Sequence, residues 1–236
     1  MIEMIDWLVR QFNLTFIEKN RYMLFVEGFR NTLIIAFGAA IIGIFIGSAV
    51  AMMRVYCAQT GRLKFLDALC GIYLAIFRGT PIVVQLLIMY YIIFQNVRNA
   101  LLVAVIAFGI NSGAYVAEIV RAGILSVDIG QTEAGRSLGL SAFKTLTLIV
   151  LPQAVKNILP ALGNEFIALL KETSVAGYVA IRDLTRAGEN VRMLTAEPYF
   201  SLLTVALVYF ILVFGFSKLL KIFERRLAKS DRSNKS

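Results

Sequence analysis

A run of 23 residues without a charged side chain, residues 31–53, constrains the fold of this chain more than any other feature of the sequence. An α-helix rises about 1.5 Å per residue, so a run of this length crosses the roughly 30 Å hydrocarbon core of a bilayer. Four more apolar stretches follow it, at residues 65–94, 101–117, 146–170 and 199–217. None alternates in the manner of a β-barrel strand, and an open sheet cannot satisfy its backbone groups in lipid. The sequence therefore predicts an all-α integral membrane protein with five transmembrane helices.

The composition excludes several classes of protein and of site. Of the 236 residues, 58% are hydrophobic and 17% are charged, and the mean hydropathy is +0.75. A soluble domain has roughly 25% charged residues, and disordered or nucleic-acid-binding chains need still more polar surface. The chain has no histidine, which excludes histidine acid–base catalysis and histidine metal ligands. Its only cysteines, Cys57 and Cys70, are too few for a disulfide framework or a zinc site, and we expect them to pack as apolar residues.

The distribution of charge along the chain predicts how the helices are oriented in the membrane. Net charges of +2, +2 and +5 fall in residues 54–67, 121–157 and 218–236, respectively. Residues 1–30, 95–99 and 172–197 carry net charges of 0, +1 and −1. Because cytoplasmic loops carry the excess of lysine and arginine, the N-terminus is predicted outside and the C-terminus in the cytoplasm. The predicted domains are an external N-terminal leader at residues 1–30, a single transmembrane domain at residues 31–228 and a cytoplasmic tail at residues 229–236.

The leader contains several large apolar side chains before the first span. They include Trp7, Leu8, Phe12 and Phe16. Residues of this kind are typical of a helix that lies along the membrane surface. An ordinary ordered segment is the alternative interpretation.

The loop between the third and fourth stretches has the signals of a short helix. Thr132 is a good N-cap, Glu133 suits the positive end of a helix, and Gly139 is a good C′ residue after its end. We therefore expect a short cytoplasmic helix that runs parallel to the membrane. From these residues alone, it is either a simple interfacial helix or a lever that contacts a partner protein.

The same loop resembles the EAA loop of ABC importer permeases. The segment Glu133-Ala134-Gly135, then Gly139, then residues 149–152 follows the pattern E-A-A, three residues, G, nine residues and I-x-L-P with every spacing matched. The departure is Gly135 in place of the second alanine, which keeps the side chain small but lowers helix stability by up to about 1 kcal/mol. Three further segments resemble the polar amino-acid branch, the histidine/glutamine/arginine-type permeases: residues 77–85, 112–123 and 159–166.

The resemblance covers roughly residues 25–228 and implies a permease domain with five helices. It also implies the partners: a second permease, identical or similar, a pair of ATP-binding cassette subunits on the cytoplasmic face, and an external amino-acid-binding protein. This chain lacks a Gly-x-x-x-x-Gly-Lys-Ser/Thr phosphate loop, so we expect ATP and Mg to be bound by the partner and no cofactor or metal in this chain. The expected ATPase-coupling residues are Glu133, Ala134, Gly135 and Gly139.

Ionisable residues inside the apolar stretches are candidates for a substrate site. They are Arg78, Glu118, Glu165 and Lys171. Each costs roughly 2.5–3.5 kcal/mol at a helix centre, so such residues usually face a cavity or a partner. Glu118 and Arg121 are three residues apart on one helix, which predicts an intrahelical ion pair. Glu165 lies about 20 Å along the fourth helix from Pro152, close to mid-membrane.

The predicted substrate-binding set combines these charges with neighbouring polar groups. Its members are Arg78, Gly79, Thr80, Ser112, Asn164, Glu165 and Glu172. In this hypothesis Glu165 receives a cationic group, Asn164 fixes the orientation of the substrate and Glu172 adds negative potential at the external mouth. Arg78, or the backbone at Gly79 and Thr80, meets the substrate carboxylate. The site then favours basic or neutral-polar amino acids over glutamate or aspartate.

Each of these roles has a structural alternative. Arg78 either serves the substrate or pairs with Glu118 or Glu165, or contacts another subunit. Glu165 either serves the substrate or pairs permanently with Arg78 or Lys156. Ser112 and Asn111 either line a path or make contacts between helices.

The predicted function is the transmembrane subunit of an ATP-driven ABC importer that carries a polar amino acid into the cytoplasm by alternating access. The chain itself is not expected to be an enzyme, and the expected location is the bacterial inner (plasma) membrane. The alternative is a self-sufficient secondary transporter or channel, although five helices without a second similar half give no inverted repeat. A membrane enzyme is disfavoured because no nucleophile–base pattern is present.

Overall fold

The computed structural model describes residues 2–233, with side chains for residues 3–227. Over that part of the chain the protein is almost entirely helical and has no β-strand. The α-helices are α1 Ile2–Phe12, α2 Tyr22–Thr60, α3 Lys64–Gly79, α4 Ile82–Ile88, α5 Ala100–Leu125, α6 Ile129–Ser137, α7 Ala142–Thr145, α8 Leu151–Glu172, α9 Leu184–Thr195 and α10 Pro198–Ser233. Short π-helical and 3-10 segments join them: Asn13–Ile17, Glu18–Asn20, Met89–Ile93, Leu146–Val150 and Thr173–Val179.

Four helical stretches of the described chain are long and apolar enough to cross a membrane: Tyr22–Thr60, Ala100–Leu125, Ala142–Val179 and Pro198–Leu227. A fifth span exists if α3 and the segment Ile82–Ile93 cross together, since the two are bent by 109° at the break between them. The predicted all-α membrane fold is confirmed. The first predicted stretch, residues 31–53, lies inside a helix that begins nine residues earlier and ends seven residues later.

The helices α2 and α5 run side by side in the same direction. Small residues let them approach closely: a Cβ on Gly38 would lie 2.8 Å from Val105, and one on Gly47 would lie 2.6 Å from Val116. Lipid supplies little hydrophobic force between helices, so close packing through glycine is the usual means of association in a membrane. Because α2 and α5 are parallel, the chain between them returns to the end at which α2 began. The α3–α4 pair therefore connects opposite ends of the bundle.

The second apolar stretch is divided where the sequence predicts one span. Pro81 lacks an N–H and fixes its φ at −65°, so α3 cannot continue into α4. The carbonyl groups freed at the break are bound by two amide side chains. Gln85 Nε2 donates to the carbonyls of Phe77 and Thr80 at 3.0 Å each, and Asn111 Nδ2 donates to Phe77 O at 3.0 Å and to Gln85 Oε1 at 2.9 Å. The break is thus held by polar groups of α4 and α5.

The predicted short helix between the third and fourth spans is present as α6, but it begins earlier than the predicted N-cap Thr132. The N-cap is Asp128, whose Oδ1 accepts from the Gly130 N–H at 2.7 Å, and Thr132 already lies in the first turn. Asp128 and Thr132 are both suitable N-caps, but it is Asp128 that accepts from a free N–H group at the start of the helix. Gly139 has a φ of +80° just after the end of α6, which agrees with the predicted C′ position.

The other end of the bundle is closed by α9, which packs against α2 and α10. The N-cap of α9 is Asp183, which is fully buried and accepts from the backbone N–H groups of Thr185 and Arg186. Burial raises the pKa of the Asp183 carboxyl, although these two hydrogen bonds oppose the shift. Thr32 of α2 accepts from the Leu184 N–H at 3.1 Å, which fixes α9 on α2.

Candidate functional site

Two members of the predicted substrate set meet in the interior of the bundle. Ser112 of α5 is buried, and its Oγ donates to Glu165 Oε1 of α8 at 2.8 Å. The two residues are 53 positions apart in sequence, so only the antiparallel packing of α5 and α8 joins them. Gly43 of α2 lies behind the pair, because a Cβ at this position would be 3.0 Å from Ser112 Oγ. A carboxylate is thereby held in place at the junction of three helices.

The other predicted residues of α8 divide between two faces. Glu172 is seven residues after Glu165, on the same face of the helix two turns away, and is half-buried. Asn164 is exposed, and its Nδ2 donates to the Pro160 carbonyl at 3.1 Å within the same helix. The structure therefore brings Ser112, Glu165 and Glu172 to one side and turns Asn164 away from them.

Arg78 does not meet Glu165 but belongs to a separate ion cluster. Its Nη1 lies 3.7 Å from Glu118 Oε1, and its guanidinium lies 5.8 Å from the centre of the Tyr115 ring. Glu118 also receives Arg121 at 2.8 Å, as predicted for the intrahelical pair, and Arg54 Nη1 lies 3.7 Å from the same carboxyl. The Glu118 carboxylate is thus shared by arginines of α2, α3 and α5.

Gly79 and Thr80 lie at the break between α3 and α4. The carbonyl of Thr80 accepts a hydrogen bond from Gln85. The Oγ1 of Thr80 donates to Ile76 O at 2.8 Å and accepts from Gln85 Nε2 at 2.8 Å. A Cβ on Gly79 would meet nothing within 4 Å, so the backbone beside Arg78 is open on that side. The role of Gln85 and Asn111 in holding the break was not predicted. The signal that could have found it is an uncharged amide in each of two apolar stretches.

The four predicted coupling residues lie on or beside α6. Glu133, Ala134 and Gly139 are exposed, whereas Gly135 is buried against the segment that leads into α8. A Cβ on Gly135 would lie 2.7 Å from Thr145 Cγ2 and 2.8 Å from Ile149 Cδ1. This contact explains why the small residue of the loop is a glycine here, because the neighbouring Thr145 occupies the space of a methyl group.

The surface around α6 is open and partly apolar. Leu138 is 81% exposed and Ile129 is 74% exposed, so a large apolar side chain lies open at each end of α6. A cavity of about 390 Å³ lies beneath α6, lined by residues that include Gln59, Leu125 and Arg136. Among residues 2–233, no group of cysteine, aspartate and glutamate side chains is arranged to hold a metal ion.

Comparison with known proteins gives a consistent set of relatives. A solved structure described as an amino acid ABC transporter with histidines is 41% identical, with a TM-score of 0.81 over 89% of this chain and 98% of that one. The arginine transport system permease protein of Bacillus subtilis is 34% identical over 209 residues, 87% of this chain and 93% of that protein. The L-cystine transport system permease protein of Bacillus subtilis is 36% identical over 186 residues, 78% of this chain and 80% of that protein.

The family itself is defined over most of the chain. Residues 55–229, which contain the Ser112–Glu165 pair, α6 and the ion cluster except Arg54, match the family described as the inner membrane component of binding-protein-dependent transport systems. Its members are transport subunits rather than enzymes, and they lie in the inner membrane with several apolar helices. This chain therefore belongs to the binding-protein-dependent transport system inner membrane components, the permease subunits of ABC importers.

Proposed function

We propose that this permease carries a basic or neutral-polar amino acid into the cytoplasm, and that Glu165 is the residue that receives the cationic group of the substrate. The observation that carries this proposal is the Ser112–Glu165 pair, a half-buried carboxylate held by a single hydroxyl between α5 and α8. A carboxylate at this depth is costly unless a cation or several donors meet it. The ammonium group of an amino acid, and the second cationic group of a basic one, meet that need.

The surroundings of Glu165 support this choice of substrate. Glu172 lies on the same face of α8, so the region carries two carboxylates and attracts cations rather than anions. Arg78 is paired with Glu118, but part of its guanidinium stays exposed. This exposed part, together with Gly79 and Thr80, is the proposed contact for the substrate carboxylate. Asn164 faces away in this structure, and its proposed role in orienting the substrate needs a rotation of its side chain off Pro160. Relatives that carry arginine and L-cystine are consistent with basic and neutral-polar substrates.

The proposed assembly follows from the family. Two permeases, identical or similar, pair in the membrane, and a pair of ATP-binding cassette subunits binds the face that contains α6. ATP and Mg are bound by those subunits, and an external amino-acid-binding protein delivers the substrate. Glu133, Ala134, Gly135 and Gly139 form the coupling helix and its end, with the exposed Leu138 as an apolar contact for the ATPase.

The proposed topology has five crossings. The parallel arrangement of α2 and α5 supports it, because the chain between them must return across the bundle through α3 and α4. The excess of positive charge at residues 54–67, 121–157 and 218–236 supports a cytoplasmic C-terminus and an external N-terminus. Residues 1–30 are then an external leader, residues 31–228 the permease domain and residues 229–236 a cytoplasmic tail.

The substitution Glu165→Gln tests the substrate site. The purified permease is reconstituted in vesicles with its ATPase and binding protein, and uptake of arginine, glutamine and glutamate is measured. A hydrogen bond to a charged group contributes about 1.5–3 kcal/mol, so the apparent affinity for a cationic substrate should fall by roughly 10- to 100-fold. Assembly and basal ATP hydrolysis should be retained, since Gln can still accept from Ser112.

A matched control removes a carboxylate elsewhere. Glu189 pairs with Arg192 at 2.7 Å on α9, and Glu189→Gln should leave uptake unchanged. If Glu165→Gln assembles normally and transports with unchanged apparent affinity, the substrate role of Glu165 is wrong. If it fails to assemble while Glu189→Gln assembles, Glu165 serves to hold the helices together.

A further inference from the structure

The N-terminal helix α1 has two faces of opposite character. Its charged residues, Glu3, Asp6 and Arg10, recur at spacings of three and four, which places them on one side of the helix. Its large apolar residues occupy a different side at the same spacings: Ile5, Leu8, Val9 and Phe12. This pattern is that of a helix with water on one side and an apolar environment on the other.

The apolar face of α1 is only partly covered by the rest of the described chain, where Phe12 packs against Phe16 with 4.9 Å between the ring centres. Between 41% and 53% of each of Ile5, Leu8, Val9 and Phe12 is exposed, and Met4 beside them is 61% exposed. A surface helix of a soluble protein buries this face against the core, which α1 does not do. The helix therefore needs an apolar environment that the chain itself does not supply.

The contact between α1 and α10 is made by the edge between the two faces. The ring of Trp7 lies on this edge and packs against Phe200, with 6.3 Å between the ring centres. Phe200 is in the first turn of α10, where the apolar segment of that helix begins. The helix α1 therefore lies at the level of one end of the bundle. Its apolar face lies on one side of Trp7 and its charged face on the other.

The connection from α1 to α2 is compact and fixed. Lys19 and Asn20 have φ values of 54° and 55°, so the chain turns sharply between the two helices. Arg21 is buried, donates to the Leu14 carbonyl and pairs with Glu18 at 3.6 Å. This connection holds α1 beside the start of α2.

We propose that α1 lies in the plane of the membrane interface, with its apolar face in the lipid and its charged face in water. The occupant is lipid because α1 contacts the start of α10, a helix long and apolar enough to span the membrane, whose outer side is apolar and exposed. Beyond the Trp7–Phe200 contact, α10 exposes a row of large apolar side chains: Leu203, Leu207, Phe210 and Phe214. Tryptophan is also the residue most typical of the interface level, where its ring is apolar and its N–H remains wet. The helix α1 thus anchors the starts of α2 and α10 at a constant depth in the bilayer.

Trp7 is the only tryptophan of the chain, so the protein contains its own probe. The full chain is reconstituted in phosphatidylcholine–phosphatidylglycerol vesicles whose acyl chains carry bromine at carbons 6,7 or at carbons 11,12. The expected result is loss of Trp7 fluorescence with both lipids and a greater loss with the shallower bromines. No loss with either lipid, together with full quenching by aqueous iodide, would overturn the proposal.

Two variants separate lipid from a protein that covers the same face. In a Trp7→Phe background, Val9→Trp places the probe on the apolar face and Asp6→Trp places it on the charged face. The expected result is that brominated lipid quenches the first and iodide quenches the second. If neither quencher reaches the probe at position 9, a protein surface such as a second copy covers α1 and the proposal is wrong. If a variant does not fold, the measurement on native Trp7 still decides between lipid and water.

Discussion

The substitution Gly135→Ala tests whether α6 is held as closely as the structure shows. An added Cβ would lie 2.7 Å from Thr145 Cγ2 and 2.8 Å from Ile149 Cδ1, which is closer than carbon atoms approach without movement. Overpacking of this kind costs about 1–3 kcal/mol, whereas Gly→Ala within a helix gains up to about 1 kcal/mol. We therefore expect a net loss of about 1 kcal/mol in the free energy of unfolding, even though alanine is the residue of the EAA pattern.

The chain offers a matched control for this substitution. Gly71 also lies inside a helix, but a Cβ there would meet nothing within 4 Å. Gly71→Ala should therefore gain up to about 1 kcal/mol. A change of 1 kcal/mol shifts the melting temperature of a chain of this size by roughly 2–4 °C, so the two variants should differ by roughly 4–8 °C.

The assay is thermal unfolding of the purified permease followed by a thiol-reactive dye. Cys57 is buried and Cys70 is half-buried, so all variants carry Cys70→Ala and the dye then reports only Cys57, whose thiol reacts when the bundle opens. Thr145→Ser removes one of the two groups that the new Cβ would meet most closely, and the double variant Gly135→Ala/Thr145→Ser should recover part of the lost stability, because the contact with Ile149 remains. If Gly135→Ala raises the melting temperature as much as Gly71→Ala does, the close packing of α6 is wrong.

Three further outcomes are expected. In a chain whose native cysteines are replaced, a cysteine at Asn96 should react with an impermeant thiol reagent outside intact cells and one at Ser137 only after permeabilisation; external labelling of Ser137 would overturn the orientation. Gly139→Asp places a side chain where φ is +80° and should permit membrane insertion but lower co-purification with the ATPase; undiminished co-purification and transport would refute the coupling role. Burial raises the pKa of Asp183, so its neutral form stabilises the fold at low pH and this contribution is lost as the pH rises through the raised pKa. Asp183→Asn keeps an N-cap but does not titrate. As the pH rises from the ordinary pKa of a carboxyl, the melting temperature of this variant should therefore fall less than that of the native chain, whereas an equal fall would contradict the role of burial.

The sequence predicted which segments are apolar helices because that property is local. A run such as residues 31–53 has no alternative in lipid, where a helix satisfies all of its own backbone groups. The end of α6 was also predictable, since a glycine is the residue that accepts the positive φ found at Gly139. The start of α6 was not, because Asp128 and Thr132 are both good caps and the preceding turn decides between them.

The tertiary structure decided which polar residues meet. Sequence spacing is sufficient for Glu118 and Arg121, three residues apart on one helix, but it left open whether Glu165 or Glu118 receives Arg78. The packing of α5 against α8 brings Ser112 to Glu165, and the packing of α3 against α5 brings Arg78 to Glu118. Spacing along one helix fixes distances only over a few turns. The direction in which a side chain points across a bundle depends on the angles and close approaches of helices that are far apart in the chain.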